Sequence, residues 1–119
     1  MRGRPIARIW NGHVPLARQN SFLDHLRATG VADASRVEGY LGSLVLRRVD
    51  GERSWFTLLT FWRDEAAVRG FAPDTTAVLY PGDAAFDLIP DGIATQSEIV
   101  LLEMDRCAGG LVMGAVGGP

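Results

Sequence analysis

Four polar side chains in this sequence, Arg8, Asn11, His13 and Tyr80, are candidates for orienting or deprotonating a bound small molecule. Trp10, Phe22, Trp62, Phe71 and Phe86, with Tyr80 itself, can wall a flat apolar pocket suited to a polycyclic or quinol-like ligand. Each residue also has a plainer reading. The aromatics serve equally as core, where burying such a side chain stabilises by roughly 1.5–3 kcal/mol. Asn11-Gly12-His13 reads equally as a turn at a strand end, and His13 and His25 as surface residues. Arg8 is equally a partner for Glu98. Tyr80 and Phe86 lean towards the pocket because they lie on a long irregular segment, a common home for functional residues.

Other chemistries lack their signatures. The two histidines are not spaced as helix-borne metal ligands, and the one cysteine, Cys107, excludes an internal disulfide or a cysteine zinc cluster. No glycine-rich phosphate loop occurs. Twelve basic against fourteen acidic residues give a net charge of −2, with no basic footprint for nucleic acid or membrane. Glu52-Arg-Ser-Trp-Phe-Thr-Leu58 lacks the basic-glycine-aromatic signature of RNA-recognition strands. No apolar run approaches the ~20 residues needed to span a bilayer, and no signal peptide precedes the first strand, so a cytoplasmic protein is expected.

The elements that must position these residues follow from patterning. Trp55 to Trp62 is apolar or threonine throughout, the pattern of a strand buried on both faces. Trp55, Thr57, Leu59 and Phe61 share one face; Phe56, Leu58, Thr60 and Trp62 share the other. Asp64 can cap a short helix with Ala67, Val68 and Phe71 on its inner side, stopped by Pro73. Helices of the same chain cover one face of such a sheet, so the other face predicts a second copy.

Ile6–Trp10 reads as the first strand. Pro15 then opens a helix with the stripe Leu16, Phe22, Leu23 and Leu26, closed by Gly30, and a loop follows from Val31 to Glu38. Gly39 to Val49 is the second strand, turning at Asp50-Gly51. If those two residues alone form the loop, Tyr40 faces Phe61, Gly42 faces Leu59 and Gly39 faces Trp62, leaving hollows beside the glycines. Arg48 then meets Arg53, an unfavourable pair unless the loop is longer or an acid or anion lies between them. Pro73 to Gly92 is irregular apart from a possible helical turn at Thr75–Tyr80. Ile93 to Met104 is the last strand. The domain is expected over residues 1–104, with a glycine-rich tail at 105–119. Strand, helix, two strands, helix, strand is the ferredoxin-like βαββαβ order: an α+β subunit with a four-stranded antiparallel sheet and helices on one face.

Ile6-Ala-Arg-Ile-Trp-Asn-Gly12, Leu46-Arg-Arg48, Leu58-Leu-Thr-Phe-Trp62, Phe71-Ala72 and Ala77-Val-Leu-Tyr-Pro81 resemble the antibiotic-biosynthesis-monooxygenase-like proteins of the dimeric α/β-barrel superfamily. The resemblance spans about residues 5 to 102. It implies a homodimer whose sheets form a barrel, with a pocket between each sheet and its helices. Some members oxidise phenolic or quinol-type aromatics with molecular oxygen and no cofactor; others degrade haem, isomerise small metabolites or lack a known activity. For such chemistry Tyr80 is expected to handle the proton, with Asn11 and His13 as further polar candidates, and Trp10, Phe22, Trp62, Phe71, Phe86 and Arg8 around the substrate. Haem-degrading relatives carry a Trp at the position of Phe71 and an axial His near Pro81, which argues against haem here. Close relatives carry a His where this chain has Thr95-Gln96-Ser97. The alternative is a non-catalytic homodimer that binds a hydrophobic metabolite.

Overall fold

In the computed structural model, residues 3–72 and 80–103 are described. The expected turn at Thr75–Tyr80 up to its last residue, Cys107 and the tail lie outside them. Strand β1 spans Ile6–Pro15, followed by a 3-10 turn at Leu16–Arg18 and helix α1 at Gln19–Leu26. The chain stays helical through a π-helical turn at Arg27–Val31 into α2 at Ala32–Ser35. Strands β2 (Tyr40–Asp50) and β3 (Arg53–Trp62) form a hairpin, and α3 covers Glu65–Phe71. A 3-10 turn at Asp83–Phe86 precedes the short strands β4 (Ile89–Pro90) and β5 (Thr95–Glu98).

The sheet runs β2-β3-β1, with β4 and β5 both antiparallel to β1 on its free side. Taken as one interrupted strand, β4 and β5 give the expected ferredoxin-like order, with helices on one face. The interruption is local chemistry. Pro90 lacks a backbone donor, and Gly92 adopts a left-handed conformation at φ +73°. The last strand is therefore two fragments, not one strand from Ile93 to Met104. Its apolar end is also not buried in the chain: Val100, Leu101 and Leu102 are exposed.

The alternation read in β3 holds. Ser54, Phe56, Leu58, Thr60 and Trp62 are buried against the helices, while Trp55, Thr57, Leu59 and Phe61 are half-buried on the other face. The hairpin turn lies one residue later than expected. Asp50 pairs with Arg53, so Gly51 and Glu52 form the loop, with Gly51 at φ +63°. That moves Arg48 away from Arg53. Arg48 sits opposite Trp55, with its guanidinium 5.6 Å from that ring centre, and pairs with Asp50. A bulge between Tyr40 and Gly42 brings Tyr40 opposite Trp62 and Gly42 opposite Phe61. The hollow expected at Gly39 is filled by Ala67, whereas beside Gly42 only the Phe61 ring comes as near as 4.0 Å to where a Cβ would sit.

Asp64 caps α3 as expected, its Oδ1 accepting from the Ala67 N–H at 2.9 Å. Gly30, by contrast, is no cap: Val31 to Ser35 continue the helix, and only the residues from Arg36 to Glu38 are the expected loop. The site where Gly30 would place a Cβ lies 3.6 Å from Leu58, 3.8 Å from Leu26 and 4.0 Å from Tyr80. Gly30 thus lets the helix approach the sheet closely. The core divides in two: Trp10, Val14, Phe22, Leu26, Phe56, Leu58 and Ala94 form one cluster, and Ala34, Trp62, Ala67 and Val68 the other. No described helix is long and apolar enough to cross a membrane.

Candidate functional site

A cleft opens between the helix-covered face of the sheet and the helical layer. Its lining includes Arg8 and Trp10 from β1, Phe22 from α1, Gly30 from the π-helical turn, Phe71 from α3, and Tyr80 with Asp83 from the segment beyond. The strand's two-residue period explains the first two. Arg8, Trp10 and Val14 alternate onto the covered face and are buried there. The free volume is about 30 Å³, room for a water molecule but not for an aromatic ring unless side chains move aside.

The same period removes Asn11 and His13 from the cleft. β1 does not end at Trp10; it continues to Pro15, so both residues project from the open face. Asn11 Oδ1 accepts from Thr57 Oγ1 at 2.6 Å. His13 stacks on Trp55 with ring centres 4.1 Å apart, and its Nδ1 accepts from Arg53 Nε at 2.8 Å. Two other expected wall residues stand one layer back. Trp62 is fully buried, stacks behind Phe71 at 5.6 Å, and donates its indole N–H to Thr60 Oγ1. Phe86 packs edge-on against Phe22 at 5.7 Å. The structure thus brings Arg8, Trp10, Phe22, Phe71 and Tyr80 together around the cleft. Glu98 pairs with Arg4 rather than with Arg8.

The polar end of the cleft is a network the sequence did not suggest. Tyr80 Oη donates to Asp33 Oδ2 at 2.9 Å, and the Tyr80 backbone N–H donates to Asp83 Oδ2 at 2.9 Å. Asp83 Oδ1 lies 2.7 Å from His25 Nε2. His25 is not on a solvent flank: its ring lies 4.8 Å from that of Phe86 and 6.0 Å from that of Phe22. Gly82 permits this, since a Cβ there would come within 2.9 Å of the His25 ring. One signal for His25 was available, its position three residues after Phe22 on the same helical face. Asp33 and Asp83 gave none, because their partners are remote in sequence.

Electrostatics set the protonation of these groups. Burial pushes the Tyr80 phenol well above its ordinary range, reinforced by the hydrogen bond to Asp33 and the negative charges of Asp33 and Asp83, against the opposing pull of Arg8. Tyr80 is therefore a neutral phenol at physiological pH. Burial also lowers the proton affinity of Arg8, although a guanidinium stays charged in this range. Its guanidinium carbon lies 5.6 Å from the centre of the Phe71 ring. Among the described residues, no group of three or more His, Cys, Asp or Glu side chains is arranged to hold a metal ion. Among them, too, no histidine lines the cleft to ligate a haem iron.

No family model matches the chain, and no curated protein matches it significantly. Solved structures do match. A candidate antibiotic biosynthesis monooxygenase from Bacillus cereus superposes with a TM-score of 0.60 at 14% identity, over 87% of this chain and 100% of that one. SnoaB, a cofactor-independent oxygenase from Streptomyces nogalater, gives 0.58 at 15% identity in a mutant form, over 87% and 100%. The haem degrader MhuD from Mycobacterium tuberculosis, with two haems in its active site, gives 0.56 at 21% identity, over 83% and 99%. The fold of this chain is therefore that of the antibiotic-biosynthesis-monooxygenase-like proteins.

Proposed function

We propose that the protein is a cofactor-independent monooxygenase acting on a small phenolic or quinol-type aromatic, working as a cytoplasmic homodimer through its open sheet face. Residues 1–104 form the working domain, with 105–119 as a tail. One observation carries the reading: aromatic walls from Trp10, Phe22 and Phe71 converge with Tyr80 and the buried Arg8 in one cleft. The fold shared with a cofactor-independent oxygenase agrees with it. Such chemistry asks the protein to bind the substrate, help remove its phenolic proton and exclude water, while the substrate anion itself reduces oxygen. Tyr80 handles the proton as a relay, accepting it on Oη while passing its own to the Asp33 carboxylate, Arg8 favours the anion, and the aromatic side chains hold the ring. Asn11 and His13, on the far face, have no part in it.

Dimerisation is supported by the apolar character of that face. Ile9, Leu44 and Leu59 lie side by side on it, and a groove beside Phe61 is lined by Leu41 and the run Ile99–Leu102.

The test is oxygen uptake by metal-free and flavin-free protein against anthrones, dihydroquinones and catechols. Uptake should saturate with substrate and fall at least about tenfold in Tyr80→Phe, a modest expectation for loss of a proton-transfer group. Unchanged uptake in Tyr80→Phe would remove Tyr80 from the mechanism. The narrowness of the cleft favours a second reading, a non-catalytic dimer binding a hydrophobic metabolite. Ligand binding without uptake above the buffer rate would establish that one instead.

A further inference from the structure

The hydrogen bond that ties Tyr80 to the helical layer also decides which ligands the cleft prefers. A phenol has one proton to donate, and Tyr80 gives it to Asp33 Oδ2. Asp33 is held as an acceptor: its other oxygen, Oδ1, takes a hydrogen bond and ion pair from Arg36 Nη1 at 2.7 Å. Tyr80 Oη therefore has only lone pairs left for the cleft. Asp83, the carboxylate that lines the cleft, is an acceptor as well, already engaged by His25 and by the Tyr80 N–H.

We infer that the cleft selects aromatic ligands bearing a hydroxyl over the same rings bearing an ether or carbonyl, because Asp33 fixes Tyr80 as a hydrogen-bond acceptor. The inference rests on the reading of this cleft as an aromatic site and adds the residue that sets its polarity. A ligand hydroxyl can accept from Arg8 and donate to Tyr80 with one oxygen. An ether or carbonyl can accept from Arg8 but turns its lone pairs towards those of Tyr80. In a site of low dielectric, that mismatch sets two acceptors against each other and leaves Tyr80 Oη without a donor. Sites built around a hydrogen bond discriminate far more sharply than apolar pockets do. Asp33 acts through Tyr80 and is a positioning residue.

The local geometry accounts for Asp33's reach. The π-helical turn at Arg27–Val31 comes directly before α2, which carries Asp33. Such turns insert one residue into a helix and recur at functional sites.

Calorimetric titration of 2-naphthol and 2-methoxynaphthalene, which differ by one methyl group on the oxygen, tests this. The protein should bind the naphthol about tenfold more tightly or better, as expected for one buried donor that finds its acceptor. In Asp33→Asn the side-chain amide can donate to Tyr80 Oη and free the phenolic proton, so the ratio should fall towards one through tighter ether binding. Asp33→Glu should restore the preference, and Tyr80→Phe should abolish it. Equal affinities in the unaltered protein, with both weakened by Phe71→Ala, would overturn the inference while leaving the aromatic cleft in place. So would a preference that survives Asp33→Asn. Failure of both ligands to bind would overturn the cleft reading, and this inference with it.

Discussion

The two faces of the sheet use the same strands to opposite ends. On the covered face, β3 presents Ser54, Phe56, Leu58, Thr60 and Trp62, each no more than 5% exposed. On the open face the interleaved residues Trp55, Thr57, Leu59 and Phe61 are almost as apolar yet only half-buried. A sheet face meant for water alternates to polar side chains, and this one does not. The difference separates two energetic roles. The covered face holds the chain together and frames the cleft, while the open face leaves apolar surface half-buried, the surface that the proposed dimer would cover. Arg8 belongs to the first face and His13 to the second, although they are five positions apart on one strand.

The largest effect should come from the covered face. Trp62→Ala removes a fully buried indole that stacks behind Phe71, and should lower unfolding free energy by about 3–5 kcal/mol in urea denaturation. A cost under about 1 kcal/mol would mean that the covered face is not the principal core. Leu59→Glu, on the open face, should cost the subunit less. Light scattering should find one-chain mass for this variant, against two-chain mass for the unaltered protein. A variant that keeps two-chain mass would show that the open face is not the interface.

The smallest effect concerns pH. The folded state holds the Tyr80 phenol above its unfolded value, so it favours the protonated form. That contribution is complete below the unfolded value near 10, and is lost as pH rises from there through the folded value. Stability should fall with pH above about 10, and less steeply in Tyr80→Phe. Equal slopes would show that Tyr80 is not shielded on the covered side.

What the sequence revealed was what is local. The alternation of Trp55–Trp62 and the cap at Asp64 are decided within a few residues, and both stand in the structure. The hairpin was legible as a hairpin but not to the residue: Asp50 serves as the last paired position rather than the first loop position, which shifts every cross-strand partner. Asn11-Gly12 looks like a turn that ends β1 at Trp10. The strand's extension to Pro15 follows from pairing with β3 along its whole length, which no local signal records. Gly30 shows that composition is ambiguous, since a glycine that ends a helix and one that lets a helix approach a sheet look alike. The polar network was the least legible part, because Asp33 and Tyr80 lie 47 positions apart and His25 and Asp83 58 apart.

The wide turn at Arg27–Val31 also acts as a phase adjustment in the first helical segment. Each residue of an α-helix advances the direction of its side chains by about 100°. Winding this stretch at regular pitch with every residue kept would swing Asp33 about a quarter-turn around the axis, away from Tyr80. The same side chains would all be present, but the phenol would face the cleft with its proton unassigned. The polarity of the cleft is thus written in the winding of a helix as much as in the identity of any residue.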